Sequence, residues 1–439
     1  MVEIHSPDKT LTKLLPPVRP EAGVRYVPSM YVIPFEQGGK QYLFQNMTKQ
    51  CIEGALPASA AAGEGFDDLI KAQFLVPEGK DECAYYCHIS AVMRAYAGKK
   101  GISGYTILPT FGCNARCTYC YEEGMKPISM TEETAEQAVR YILDTHRGDK
   151  VKLGWFGGEP LMGTKIIDYI CDGLRKAGIE YKSSMISNGS LITPKVIGKM
   201  RGNWRLRHIQ ISMDGAESEY LRRKCYYKDK GYYNRVMGSV SMMSEAGIKV
   251  VIRCNVDEGN FDTVSEFLSD MRDRIKNKDN VSVYLAPLNE VRMGENDIEI
   301  WTKIRDAYEL ITDAGFRNSR FMGLTRSFRI NHCMADGGSV VIAPDGSLYP
   351  CEHCPKESRF GNIRQGVTDE KAKKDFCRTD RTREKCRDCP FLPDCTNFSA
   401  CPVYDTHCRE VRELMVKADL KRLAEEKESG GSDEEEAVC

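Results

Sequence analysis

What the chain lacks narrows it first. Nowhere in its 439 residues do about 18 apolar residues follow one another, so no stretch is built to cross a bilayer as a helix. Net charge is nearly absent too: 62 Lys+Arg against 63 Asp+Glu leave -1. That balance offers no electrostatic footprint for nucleic acid and no polybasic patch for a membrane. The opening residues, MVEIHSPDKTLTKLLPP, contain no apolar signal core and read as cytoplasmic.

Cysteine, by contrast, is abundant. Of 19 cysteines, nine lie before residue 333 and nine crowd into the stretch from Cys333 to Cys408. Without a secretion signal, a disulfide framework is the weaker explanation. Dense cysteine in a reducing compartment more often binds metal.

The length allows two or three domains. Residues 1–100 read as a small separate module: Tyr31–Pro34 and Gln41–Gln45 flank Gly38-Gly39 as a hairpin, with helices over Phe66–Phe74 and 83–97. A hairpin with a few helices suggests a winged-helix-like domain. From 104 to 315 the pattern becomes regular. Apolar runs at 105–110, 151–156, 180–186, 208–213, 248–254 and 281–286 alternate with helical-period segments such as Thr131–Thr145 and Tyr232–Ala246. Ser129 and Glu132 offer a capping box before the first of these helices, and Gly178 and Gly247 stop two others. Six strand–helix repeats imply an α/β fold of parallel strands with right-handed crossovers, a partial (βα)6 barrel with its chemistry at the C-terminal strand ends. Residues 330–410 are rich in Gly, Pro and Cys, and 411–439 read as a charged helix followed by an acidic, disordered tail.

Directly after the first barrel strand stand Cys113, Cys117 and Cys120, in the spacing C-x3-C-x2-C. Three thiolates cannot close a four-ligand site. They can hold three irons of a [4Fe–4S] cube and leave the fourth open; a zinc knuckle with a distant fourth ligand is the plainer alternative. After the next strands come Gly157-Gly158-Glu159-Pro160, then Ser187-Asn188, then Ser212 and Asp214.

With these motifs the chain resembles the radical S-adenosylmethionine (SAM) superfamily, with Tyr119 in that family's place before the third cysteine. The resemblance implies that Gly157, Gly158, Glu159 and Pro160 receive the amino group of SAM, and that Ser187, Asn188, Ser212 and Asp214 belong to the cofactor site. It also implies that Arg222 or Arg223 pairs with the SAM carboxylate, and that Arg253 lines the cavity. Taken singly, each of these is equally a polar strand-end residue.

The C-terminal cysteines resemble the SPASM extension of the same superfamily, which holds two auxiliary [4Fe–4S] clusters. Cys333 and the Gly346-x4-Cys351 run match its beginning, and Cys386-x2-Cys389-x5-Cys395 its centre. The step from Cys395 to Cys401 spans five residues where three is usual. By order, the first cluster takes Cys333, Cys351 and Cys401, with Cys354 as candidate fourth ligand and an open iron as the competitor. The second takes Cys386, Cys389, Cys395 and Cys408. Two structural zinc sites would use the same donors. Glu352 occupies the place of the proposed base in sulfatase-maturing relatives.

Together the resemblance implies three [4Fe–4S] clusters, SAM, and an electron donor such as flavodoxin or ferredoxin. It also implies a 5'-deoxyadenosyl radical that abstracts hydrogen from the substrate. The hundred-residue N-terminal module favours a maturase of ribosomally made peptides that binds a leader by strand addition and installs a thioether or carbon–carbon crosslink. A formylglycine-forming sulfatase maturase and a non-catalytic zinc scaffold are the alternatives.

Overall fold

The computed structural model describes residues 3–5, 15, 17–98, 101–227, 231–318, 338–353, 356–377, 384–395 and 403–428. Strands β1 (Glu3–His5), β2 (Arg25–Pro28), β3 (Val32–Gln37), β4 (Lys40–Gln45), β5 (Gln50–Glu53), β6 (Ala60–Ala61) and β7 (Leu75–Pro77) make two small antiparallel sheets, ordered β1-β5-β4-β3 and β6-β2-β7. The expected hairpin is β3–β4. Its turn places Gly38 and Gly39 at φ 58° and 75°, the paired left-handed conformation a tight hairpin turn demands. The expected helix at Phe66–Phe74 is one short turn, Asp67–Lys71, followed by the longer Glu82–Gly98.

Six strands then run parallel and in sequence order: β8 (Gly104–Ile107), β9 (Val151–Trp155), β10 (Tyr181–Ser187), β11 (Leu206–Met213), β12 (Lys249–Val256) and β13 (Val281–Pro287). Their order in the sheet, each joined to the next through helix, is that of a partial barrel. Alternate residues such as Val151, Leu153 and Trp155 face the helices in one continuous core, which also holds Trp204 and Trp301. The others face the barrel interior. The strand β14 (Arg317–Asn318) flanks β13 at one edge.

At the opposite edge β15 (Ser339–Ile342) pairs in parallel with β8, and the hairpin β15–β16 (Ser347–Tyr349) turns at Gly346, φ 82°. Beyond it, β17 (Gly361–Asn362) and β18 (Gly366–Val367) extend the same sheet. The C-terminal segment is thereby fixed to the strand that carries the three-cysteine loop.

The first barrel helix, Glu132–Thr145, is capped by Thr131, whose hydroxyl accepts from Thr134 N at 3.1 Å. Ser129, the expected cap, instead meets the Thr110 hydroxyl at 2.9 Å. The last helix, Cys408–Glu428, returns to the N-terminal module. Its Val416, Leu420 and Ala424 pack with Ile33, Phe35, Tyr42, Phe44 and with Phe391, while neighbouring Leu392 enters a second cluster with Tyr31, Met47 and Tyr86. Burying that Phe-Leu pair contributes roughly 3–6 kcal/mol. Among the described residues no helix is long and apolar enough to cross a membrane.

Candidate functional site

β8 ends two residues before Pro109, which cannot donate to the sheet ladder. The loop that follows is held by its backbone. Gly112 N donates to the Thr110 hydroxyl at 2.9 Å, and Arg116 N and Thr118 N donate to Lys224 O and Arg223 O, both at 3.0 Å. These last two bonds satisfy carbonyls that the end of helix Glu217–Lys224 would leave open. Cys113, Cys117 and Cys120 are thus presented together as free thiols at the C-terminal mouth of the barrel. Burial pushes the Cys113 thiol up to about 11 and raises Cys117 and Cys120 as well.

The turn after β9 packs against this loop. A Cβ on Gly158 would stand 2.4 Å from Gly112 O and 2.6 Å from Phe111 O, and one on Gly157 2.4 Å from Thr110 O. These glycines therefore bring two backbones together beneath the cysteines. Glu159 turns inward and is 0% exposed. Its carboxylate accepts from Leu161 N at 3.0 Å, the Ser187 hydroxyl at 2.9 Å and Asn188 N at 2.8 Å. Burial raises its pKa above the ordinary carboxylate value, and those three bonds oppose the rise. Glu159 is committed to tying the ends of β9 and β10 together, while Pro160 starts the short helical turn that follows. Asn188 extends the tie to the loop, donating to Asn114 Oδ1 at 2.9 Å and to Cys113 Sγ at 3.8 Å.

Below the loop lies a buried polar network. Tyr119 donates to Asp214 at 2.5 Å, and Asn255 Nδ2 reaches Asp214 at 2.9 Å and the Tyr119 hydroxyl at 3.2 Å. Lys224 Nζ donates to the Tyr119 and Ser212 hydroxyls at 2.9 and 2.8 Å and stands 3.4 Å from Asp214. Burial works against the Lys224 ammonium, but Asp214, then Tyr119 and Cys117, hold its pKa well above the usual lysine value. The same charge pulls the Cys117 thiol down, against the rise that burial imposes.

The two expected arginines are held by acids of their own. Arg222 is exposed and paired with Glu219, and Arg223 is buried between Glu219 and Asp257. Three cations close this helix in a row, and the last two of them, Arg223 and Lys224, are buried. Lys224 and Asn255 are the residues sequence reasoning passed over; nothing local in the sequence marks which of three consecutive cations the fold buries. Arg253 faces the barrel interior, donating to Asn255 Oδ1 at 2.8 Å.

The C-terminal segment closes over this mouth. Cys351 is buried, His353 packs against Tyr121 at a tilt with ring centroids 4.4 Å apart, and Glu352 Oε2 is buried with no hydrogen-bond partner among the described residues. Cys389 is raised to about 11, by burial first and then by Cys395 and Cys408, which sit near it. Cys386 packs beside Leu392 against the N-terminal module. Cys333, Cys354 and Cys401 lie outside the described residues.

Among the described residues no three His, Cys, Asp or Glu side chains form a ready site for a single metal ion. The fit to clusters rests on the donor set itself. Grouped thiols whose acidity burial suppresses are ligands that a cationic iron centre deprotonates. Cys113, Cys117 and Cys120 fit one cluster, and Cys386, Cys389, Cys395 and Cys408 supply four thiols for another.

Comparison with known proteins agrees with this layout. Residues 107–285 match the radical SAM superfamily and residues 333–390 an iron–sulfur cluster-binding domain, SPASM. The chain is 22% identical over 273 residues to the antilisterial bacteriocin subtilosin biosynthesis protein AlbA of Bacillus subtilis; the match covers 58% of this chain and 56% of AlbA. Native anSMEcpe with bound AdoMet superimposes with a TM-score of 0.59 at 19% identity, over 74% of this chain and 99% of that one. Streptococcus suis SuiB bound to its precursor peptide SuiA gives 0.54 at 14%, over 88% and 100%. The chain carries a radical SAM domain followed by a SPASM iron–sulfur cluster-binding domain.

Proposed function

We propose that this chain is a radical SAM peptide maturase, which abstracts hydrogen from a ribosomally synthesised precursor peptide and installs a thioether or carbon–carbon crosslink. When bound, SAM and three [4Fe–4S] clusters supply the one-electron chemistry and the 5'-deoxyadenosyl radical. The chain's own residues hold and shape. Cys113, Cys117 and Cys120 are the ligands of the SAM cluster; Cys386, Cys389, Cys395 and Cys408 of one auxiliary cluster; Cys351, with Cys333, Cys401 and Cys354, of the other. Lys224 keeps positive charge beside Cys117. Ser212 and the backbone around Gly157–Gly158 border the space for the methionine part of SAM.

The observation that carries the peptide reading is the N-terminal module, our leader-recognition domain. Its sheet ends in strand β3, and Phe391 and Leu392, between Cys389 and Cys395, are buried in its clusters. A leader held there is held beside the cluster domain. The names of AlbA and SuiB, a bacteriocin biosynthesis protein and an enzyme seen with a precursor peptide, support the same substrate class.

Anaerobic reconstitution with SAM, a flavodoxin or ferredoxin donor and any short peptide found encoded beside the gene tests the proposal by mass spectrometry. Leader-dependent loss of two hydrogens supports crosslinking. A peptide of unchanged mass, with SAM cleavage indifferent to its presence, rejects it. A second reading, formylglycine formation, draws on Glu352 as a base, supported by its buried carboxylate oxygen near Tyr121 with no hydrogen-bond partner among the described residues. Conversion of a sulfatase-derived cysteine peptide would decide for it.

A further inference from the structure

The six barrel strands β8–β13 contain no Asp and no Glu. They do contain Lys152, Lys182, Lys249 and Arg253, each at a position that alternates with core residues and so faces the interior. Composition does not account for this. The chain as a whole balances its charges, and strands disfavour Lys and Glu alike.

The three lysines form a staggered row near the N-terminal end of the barrel, Lys249 standing level with Ser184, two residues beyond Lys182. Lys152 is the register partner of Lys182, and His208 that of Lys249, on strands about 4.8 Å apart. Like charges side by side on one sheet face repel. No acid among the described residues offsets them: all three lysines are exposed to solvent, and none makes an ion pair there. The nearest acid in sequence, Glu180, is taken by Lys150 at 2.8 Å. Carboxylates are found at the other end, in Glu122 and Glu352 beside Tyr121 and His353. The interior wall is therefore basic at the end remote from the cysteines, whereas Asp214, Glu122 and Glu352 stand at the cysteine end.

We propose that the barrel receives a peptide segment rich in Asp or Glu, whose carboxylates lie along Lys152, Lys182 and Lys249. This deepens the peptide-maturase reading and rests on it. The row selects the substrate by charge and fixes how deep it enters, which sets the residue presented to the radical.

The test is fluorescence anisotropy on the holoenzyme with two fluorescein-labelled peptides of equal length, one Glu-rich and one Gln-rich. The Glu-rich peptide is expected to bind about tenfold more tightly, which is what three exposed ion pairs supply together. Added salt should erode that advantage. Lys152→Gln/Lys182→Gln/Lys249→Gln should abolish it, whereas Lys195→Gln, an exposed helix position, should keep it. Equal binding of the two peptides, or discrimination that survives the triple substitution, overturns the proposal. Displacement of the Glu-rich peptide by inorganic phosphate, where sodium chloride of equal ionic strength has no effect, also overturns it and makes the row a phosphate site. Leader-dependent loss of two hydrogens from the precursor peptide, measured on the same wild-type protein, reads the maturase proposal separately.

Discussion

Removing one partner of the buried Lys224–Asp214 pair should destabilise the barrel severely, and removing both should cost clearly less than the two single losses together. Nζ and Oδ2 are 3.4 Å apart, with side chains 2% and 0% exposed. At an effective dielectric of about 20, that separation corresponds to about 5 kcal/mol of attraction. Asp214→Asn would leave a buried ammonium with only the Tyr119 and Ser212 hydroxyls for company, at an expected cost of about 3–5 kcal/mol. Lys224→Met would cost a similar amount, since Asp214 keeps Tyr119 and Asn255 but loses its cation. The double variant removes both charges, so it should cost at least about 2 kcal/mol less than the sum of the singles. Urea unfolding followed by tryptophan fluorescence reads this directly, because Trp155, Trp204 and Trp301 are all buried in the barrel core. A single variant within about 1 kcal/mol of wild type, or a cycle that is additive to within about 0.5 kcal/mol, would refute the reasoning.

Gly158→Ala should lower iron content per chain, because its Cβ meets backbone oxygen of the cysteine loop at 2.4 Å and that backbone must shift. Gly198→Ala, with nothing within 4 Å, should leave iron content unchanged. Glu159→Gln should lower stability by about 2–3 kcal/mol, measured by the same unfolding assay, since its NH2 group replaces an oxygen that accepts from a buried donor. His208 has its pKa lowered by burial first, then by Lys182 and Lys249. Below about pH 6.5 the unfolded chain protonates this group before the folded one does, so stability falls with pH in that window. Unfolding free energies across the window should be flatter for His208→Gln; an unchanged slope would contradict the assignment.

The strand boundaries from Val151 to Pro287 were legible in the sequence to within two residues, because apolar residues alternate against a helix layer and glycine stops several helices. β8 came out shorter than the apolar run suggested, since Pro109 cannot continue the ladder. The choice of Thr131 over Ser129 as cap was not legible: both are good caps, and what decides is the Thr110 hydroxyl that engages Ser129. The three cysteines and the glycine turn could be read from spacing, whereas the direction of Glu159 could not, because it depends on Leu161, Ser187 and Asn188 arriving from two segments. Lys224 was obscured for a related reason. In sequence it is one of three cations that suit a helix C-terminus, and only the fold turns it under the loop. The burial of Phe391 and Leu392 in a module more than three hundred residues earlier has no local signature at all.

The central claim is that Cys113, Cys117 and Cys120 hold the cluster that cleaves SAM. Anaerobically reconstituted wild-type protein, given SAM and reductant, should release 5'-deoxyadenosine. Cys113→Ala/Cys117→Ala/Cys120→Ala should release none while losing about four irons per chain. Continued SAM cleavage by that variant, or an iron content equal to wild type, would contradict the account.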